Sequence, residues 1–268
     1  MACLRTLFVL GAIVVSSLTG ASAQSASPEV LHDLAPTGKL RAAINFGNSV
    51  LAQRGPEGQP MGVTGDLSRE LAKRLGVLVE FVTYDAAGKV FDEVANNKWD
   101  IAFVAIEPVR ASAIEFSAPY VIIEGTYMVR KDSPLKTIDE VDKPGIRIAV
   151  GPKSAYDLYL TRTIKHATLV RASIGGGRAM IDVFLKDNLE VAAGVRQPLE
   201  DYAKDHPNMR VMDGAFQEIN QAMGVPKGKT AGAKYLAAFL EEMKASGFVA
   251  AALKRSNQKA KVAPPASG

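Results

Sequence analysis

Residues 106–120 read Ile106-Glu-Pro-Val-Arg110-Ala-Ser-Ala-Ile-Glu-Phe116-Ser-Ala-Pro-Tyr120. Arg110 follows an apolar run that is predicted to be a buried strand, and it precedes an extended segment marked by a proline. A guanidinium presents a planar fork of donors that suits a carboxylate with two parallel hydrogen bonds. The position of this arginine therefore indicates capture of a small anion.

The N-terminal residues 1–23 have the pattern of an export signal. Arg5 gives a positive start, residues 7–18 are almost wholly apolar, and Ala21-Ser22-Ala23 fits an A-x-A cleavage site. The apolar run is short for a bilayer span, and no later segment is long and apolar enough to cross. We expect cleavage before Gln24 and a soluble mature protein in the periplasm, with a retained N-terminal anchor as the alternative.

Composition argues against several kinds of site. The one cysteine, Cys3, lies within the predicted signal, so the mature chain has no disulfide, thiol nucleophile or thiolate metal site. Without Arg5 the formal net charge of +4 falls to about +3, and no basic stripe interleaved with aromatic residues points to nucleic acid. The three histidines lack metal-ligand spacing. We expect no metal, no other cofactor and no nucleic-acid partner.

Short β-prone runs alternate with amphipathic helical stretches, which indicates an α/β protein. One series covers residues 40–106, with helices predicted at 66–75 and 90–97, and a similar series restarts at residue 146. A further helix is predicted at 230–245. Between the two series, residues 121–130 suit a strand that carries the chain from one lobe to another, and residues 221–225 suit a return crossing. This predicts a signal peptide at 1–23, a first lobe from 24–125 and 222–257, a second lobe at 126–221 and a disordered tail at 258–268.

Four segments, in their order and spacing, carry a resemblance to one known family. They are Gly62-Val-Thr-Gly-Asp66-Leu with the helix after it, Trp99-Asp100-Ile-Ala-Phe, Arg110 six residues before Phe116-Ser-Ala-Pro-Tyr120, and Ile146-Arg-Ile-Ala-Val-Gly151. Over residues 40–255 the chain resembles the type II periplasmic solute-binding proteins of the amino-acid-binding family.

That resemblance implies a two-lobed periplasmic-binding-protein-like fold of the α/β class. Each lobe would be a mixed sheet flanked by helices, with two β crossings as the hinge and the ligand in the cleft between the lobes. It also implies delivery of the ligand to an ABC transporter permease. We expect a monomer that binds a small carboxylate-bearing solute and has no catalytic residues.

The resemblance assigns the carboxylate of the ligand to Arg110. A surface or lobe-packing arginine paired with Glu107 or Glu115 is the alternative. Ser154 fits the N-cap of a helix, and the free amides of such a helix start, at Ser154 and Ala155, suit an anion. In the family this loop closes on the same carboxylate, whereas a purely structural cap is the alternative.

Val195 departs from the family pattern. It stands where the family usually has an aspartate that binds the α-amino group, and the aromatic rings that often sandwich the ligand are missing at Asn48 and Ala86. An ammonium in a closed cleft would then lack a carboxylate partner. We expect a small organic acid, or an amino acid whose ammonium meets Glu107.

The remaining candidate ligand residues are less specific. Arg196 follows Val195 and offers a second guanidinium, with a solvated helix-start arginine as the alternative. Asn45 and Asn48 follow the first strand and offer polar contacts or simply form a turn, and Ala105 lies in the loop before Arg110.

Two other functions stay open. A periplasmic lyase similar to cyclohexadienyl dehydratases would need a carboxylic acid as proton donor, for which Glu107 and Glu124 are the candidates. A soluble sensor that presents its liganded lobes to a membrane receptor would need no change in the site.

Overall fold

The computed structural model describes residues 26–267, so the predicted signal peptide at residues 1–23 lies outside the described residues. Its helices are α1 (Pro28–Leu34), α2 (Val63–Leu75), α3 (Ala87–Asp92), α4 (Pro108–Ala111), α5 (Ala155–Thr163), α6 (Ala179–Lys186), α7 (Arg196–Asp205), α8 (Thr230–Ala245) and α9 (Phe248–Arg255), with a 3-10 turn at Ile138–Glu140. In this part of the chain no helix combines the length and the apolar content that a bilayer crossing needs.

The strands are β1 (Lys39–Asn45), β2 (Gln53–Arg54), β3 (Pro60–Met61), β4 (Leu78–Tyr84), β5 (Ile101–Ala105), β6 (Ile114–Arg130), β7 (Arg147–Val150), β8 (Thr168–Arg171), β9 (Val191–Val195), β10 (Met209–Val211), β11 (Gln217–Pro226) and β12 (Lys261–Val262). One sheet runs through both lobes in the order β4-β1-β5-β11-β6-β9-β7-β8, and β2 and β3 form a small separate ribbon. β1 is parallel to β4 and β5, and β7 is parallel to β8 and β9. β6 and β11 run antiparallel to their neighbours and lie between the two parallel groups.

Both faces of each parallel group are buried. In β1 the neighbouring residues Ala42 and Ala43 belong to different apolar clusters. In β7 the neighbours Ile148 and Ala149 likewise belong to two different clusters. Side chains alternate across a strand, so helices must cover the sheet on both sides. This explains why β5 is apolar at every position and buried along its whole length.

A single long strand carries the chain from one lobe to the other. β6 spans 17 residues; it pairs with β11 as far as Gly125 and with β9 from Gly125 to Met128. β11 runs back beside it, so two antiparallel strands connect the lobes. The predicted lobe boundaries at 125/126 and 221/222 fall within these strands, and we keep them as a proposal.

The prediction of a disordered tail at 258–268 is wrong for the residues that the structure describes. β12 pairs with Val121 and Ile122 of β6, Ala263 is buried, and the carbonyl of Pro264 accepts a hydrogen bond from the Lys244 ammonium. Ile122 also pairs with β11, so β12 takes the opposite edge of β6. The composition favoured disorder, but an open strand edge offers backbone partners that composition does not reveal.

Candidate ligand-binding site

A cavity of about 60 Å³ lies between the lobes, and we term it the cleft cavity. Its walls come from the loops after β1, β4, β5, β7 and β8 and from strands β5, β9 and β11. Arg110 is the only charged side chain among the lining residues, which are Asn45, Gly47, Asn48, Ala86, Ala87, Val104, Ala105, Arg110, Pro152, Ser154, Ala155, Tyr156, Gly176, Val195, Ile219 and Gln221.

Arg110 is held by the single turn of α4 directly after β5, and its side chain is only 1% exposed. Nη1 donates to the Ala105 carbonyl and Nη2 to the Lys153 carbonyl, each at 3.0 Å. No carboxylate within residues 26–267 lies within 4.0 Å of this guanidinium. Burial lowers the pKa of Arg110 to about 10, partly offset by the charge of Glu107, so the group stays cationic at neutral pH.

The start of α5 faces the same cavity. The Ser154 hydroxyl oxygen accepts a hydrogen bond from the Asp157 amide at 3.1 Å and so caps the helix. The amides of the first helical turn, at Ala155 and Tyr156, have no partner within the helix. The helix dipole adds partial positive charge at this end, so α5 and Arg110 together suit an anion.

Lys153 connects Arg110 with the second lobe. Its backbone is left-handed, with φ of +56°, and its amide donates to the Asp157 carboxylate at 2.8 Å. Its carbonyl receives the hydrogen bond from Arg110, and its ammonium pairs with Asp92 of α3 at 2.7 Å. One residue thus makes two contacts with the first lobe.

The two lobes also touch at the mouth of the cleft. A β-carbon on Gly176 would lie 1.5 Å from the Asp85 carbonyl oxygen, and one on Gly47 would lie 3.0 Å from the Gly176 Cα. Across the cleft, Arg162 of α5 pairs with Glu107 at 2.6 Å. The structure therefore represents a closed cleft.

Seven of the predicted site residues line the cleft cavity: Asn45, Asn48, Ala105, Arg110, Ser154, Ala155 and Val195. Asn45 Oδ1 accepts a hydrogen bond from the Gly47 amide, so this side chain stabilises its own loop. Asn48 Oδ1 is buried and has no hydrogen-bond partner among the described residues.

Glu107 and Arg196 are the two predicted site residues that the structure does not bring to the cavity. Glu107 is 1% exposed, and its carboxylate accepts hydrogen bonds from Arg162 and from Gln217. Arg196 pairs with Glu124 and lies 3.5 Å from Glu200. Each is bound to an oppositely charged side chain that sequence spacing did not identify.

Gln221 and Tyr156 also line the cleft cavity, although the sequence alone did not indicate them. Gln221 lies on β11, is 5% exposed and has no side-chain hydrogen bond to the residues that the structure describes. The available signal for it was an amide at the start of the apolar run at residues 221–225. Tyr156 is the second residue of α5, and nothing in its spacing separates it from an ordinary helix residue.

Most of this sequence matches one family of known proteins. Residues 48–258 match the model of the family described as bacterial extracellular solute-binding proteins, family 3. The curated amino-acid-binding protein AabA of Dichelobacter nodosus is 23% identical over 209 residues, which cover 74% of this chain and 80% of that protein.

Solved structures share the fold at low sequence identity. The solute receptor for L-cysteine of Neisseria gonorrhoeae matches with a TM-score of 0.71 at 22% identity, over 82% of this chain and 90% of that one. An ancestral amino-acid-binding protein described as a precursor of cyclohexadienyl dehydratase gives a TM-score of 0.70 at 22% identity, over 84% of this chain and 98% of that one. These matches confirm the predicted two-lobed α/β fold. Because the family model covers most of the sequence, the chain belongs to the bacterial extracellular solute-binding proteins of family 3.

Proposed function

We propose that this protein captures a small carboxylate-bearing solute, either an organic acid or an amino acid, by closing its two lobes, and delivers it to an ABC permease. The observation that carries the proposal is the buried guanidinium of Arg110, which has no carboxylate partner among the described residues. A buried charge without a counterion is costly, and an anionic ligand would supply the counterion.

The anion would be held from both lobes. Arg110 would hold the carboxylate from the first lobe, and the amides at the start of α5 would approach it from the second. Closure then depends on the ligand, because each lobe supplies only part of the positive site. The predicted export signal at residues 1–23 and the extracellular description of the family support a periplasmic location.

The comparisons favour amino acids, because the relatives are described as amino-acid-binding. The residues of this chain favour a ligand without an ammonium, because the part of the chain that the structure describes places no aspartate or glutamate in the lining of the cleft cavity. We therefore propose a ligand with a carboxylate. The ligand screen described below tests whether it also carries an ammonium group.

A lyase function is not favoured by the positions of the acids. Glu107 and Glu124, the two candidate proton donors, are each paired with an arginine and do not line the cleft cavity. A general acid must reach the leaving group of its substrate. A sensing role would use the same site, and only the partner of the liganded form would differ.

A ligand screen followed by one substitution tests the proposal. Thermal shift of the mature protein with amino acids, keto acids, dicarboxylates and aromatic acids should identify ligands that stabilise the closed form. Calorimetric titration of the best hit should show about a 10- to 100-fold loss of affinity in Arg110→Met, because charge-assisted hydrogen bonds are lost. The affinity of Arg110→Lys should lie between those of the wild type and Arg110→Met, since lysine keeps the charge but loses the planar pair of donors.

Arg196→Met is the matched control, since it removes a guanidinium outside the cleft cavity. Equal affinity of wild type and folded Arg110→Met would overturn the carboxylate assignment. Uptake of the labelled hit by cells with and without the gene tests delivery: unchanged uptake without the gene would leave binding in place but remove the transport role.

A further inference from the structure

A second cavity adjoins the cleft cavity. This side cavity measures about 390 Å³ and is lined in part by Phe46, Met180, Asp201 and Tyr202. Gly47, Asn48, Tyr156 and Val195 line both cavities, so they form the boundary between them.

Tyr156 is the largest side chain on that boundary. It packs against the apolar cluster of the second lobe, and its hydroxyl is directed at the backbone of Gly151. A β-carbon on Gly151 would lie 2.8 Å from the Tyr156 hydroxyl oxygen, so the ring occupies this position because residue 151 is glycine. The ring is thus fixed by its surroundings and separates a small cavity from a larger one.

The size of the cleft cavity limits the ligand. In the same measure a buried water needs roughly 10–15 Å³, whereas the cleft cavity offers about 60 Å³. By that ratio the cavity has room for roughly four to six waters, which suits a small ligand. Longer solutes would have to extend past Tyr156 into the side cavity.

The polar groups limit the chemistry of the ligand. Arg110 supplies one positive charge, and no acidic side chain of residues 26–267 lines the cavity, so a ligand with a single negative charge balances the site. The buried Asn48 Oδ1, which lacks a partner among residues 26–267, offers an acceptor for one donor on the ligand. A hydroxyl satisfies that acceptor without adding a second positive charge beside Arg110.

We propose that the ligand is a short 2-hydroxy monocarboxylate, of the size of glycolate or lactate, and that Tyr156 sets this length limit. This inference rests on the proposed capture of a carboxylate by Arg110. It adds that the ligand is short and that it carries a neutral hydroxyl donor. Tyr156 acts here as a specificity-determining residue, because it excludes longer ligands from the cleft cavity.

Calorimetric titration with matched solutes tests the chemistry. Glycolate carries a hydroxyl where glycine carries an ammonium, and lactate and alanine differ in the same way. 2-Hydroxyhexanoate is lactate with its side chain extended by a propyl group. Glycolate and lactate should bind at least about tenfold more tightly than glycine and alanine. Lactate should bind at least about tenfold more tightly than 2-hydroxyhexanoate, since the added chain meets the Tyr156 ring.

Tyr156→Ala should join the two cavities and raise the affinity for 2-hydroxyhexanoate about tenfold or more. Tyr156→Leu serves as a second variant if alanine at this position unfolds the protein. Tyr159→Ala makes the same change on the same helix, outside the lining of either cavity, and should leave the order of affinities unchanged.

The outcomes separate this inference from the proposed function. Alanine or longer amino acids could instead bind more tightly than lactate and lose affinity in Arg110→Met. Capture of a carboxylate by Arg110 would then stand, and the assignment of a short 2-hydroxy acid as the ligand would be wrong. If folded variants at residue 156 keep the wild-type order of chain lengths, Tyr156 does not set the limit. If no carboxylate binds, the proposed function itself fails.

Discussion

Lys153 keeps a left-handed backbone at the point where the second lobe meets Arg110. A residue with a β-carbon is strained there by about 1 kcal/mol relative to glycine. The same conformation places the carbonyl against Arg110 and the ammonium against Asp92. The strain is therefore located at a contact between the lobes, where it can influence closure.

Lys153→Gly should stabilise the protein and weaken binding. Relief of the strain should raise the free energy of unfolding by about 0.5–1 kcal/mol, as measured by urea denaturation. Loss of the half-exposed pair with Asp92 should reduce affinity for the best ligand by about two- to fivefold, since such pairs contribute about 0.2–1 kcal/mol. Asp92→Asn should reproduce the affinity loss without the gain in stability. A destabilised Lys153→Gly would contradict the assignment of strain.

Tyr120 offers a test of core packing. It is fully buried, its ring packs edge-on to Phe103 with centroids 6.1 Å apart, and its hydroxyl has no partner among the described residues. Tyr120→Phe removes an unsatisfied polar group and should raise the stability by up to about 1 kcal/mol. Tyr120→Ala, the control, should lose about 3–5 kcal/mol through the cavity it creates. A lower melting temperature for Tyr120→Phe would show that the hydroxyl is bonded.

At the scale of elements, α5 combines a structural cap with an anion site, and two substitutions separate these roles. Ser154→Ala should destabilise the protein by about 1 kcal/mol, because the Asp157 amide loses its acceptor. Ser154→Asp keeps an acceptor and suits the helix dipole, so stability should be retained. Its negative charge would repel a carboxylate, so affinity should fall at least about tenfold. Full affinity in Ser154→Asp would show that the anion does not bind at this helix start.

The sequence predicted elements best where local signals agree. The helix predicted at 230–245 matches α8, and the one predicted at 66–75 begins three residues earlier as α2 and ends at the left-handed Gly76. A helix was predicted at 90–97 but α3 covers Ala87–Asp92, because the segment after it turns and Asn97 is left-handed. β12 pairs with an edge of β6 that lies about 140 residues earlier in the chain, so local sequence patterns do not predict this pairing.

The site was predicted only in part for the same reason. Arg110 and Ser154 stand in recognisable motifs, and the structure brings both to one cavity. The pairing of Glu107 with Arg162 and the exposure of Gln221 to the cavity depend on how the lobes close. Such contacts are set by tertiary geometry, and a single sequence carries no local sign of them.

At the scale of the whole molecule, Gly176 controls how closely the lobes approach. Gly176→Ala would place a methyl group 1.5 Å from the Asp85 carbonyl oxygen and should hold the cleft partly open. Gly177→Ala is a matched control: its φ is also positive, at +52°, but no atom lies within 4 Å of the added carbon. Both variants should lose a similar amount of stability, about 1 kcal/mol. Only Gly176→Ala should lose affinity and show a larger radius of gyration with ligand in X-ray scattering. Equal affinities of the two variants would contradict the closed contact.

The return of the chain through β11 and β12 also determines the order in which the protein can fold. β7, β8, β9 and β10 come from one continuous stretch, so the strands of the second lobe are complete once residue 211 has been synthesised. The first lobe needs β11 between β5 and β6, the packing of α8 and the pairing of β12 with Ile122. The packing of its earliest strands is therefore completed only by segments that end at residue 262. We therefore expect the N-terminal side of the chain to reach its native packing only late in synthesis, which would suit the proposed export of the chain before it folds.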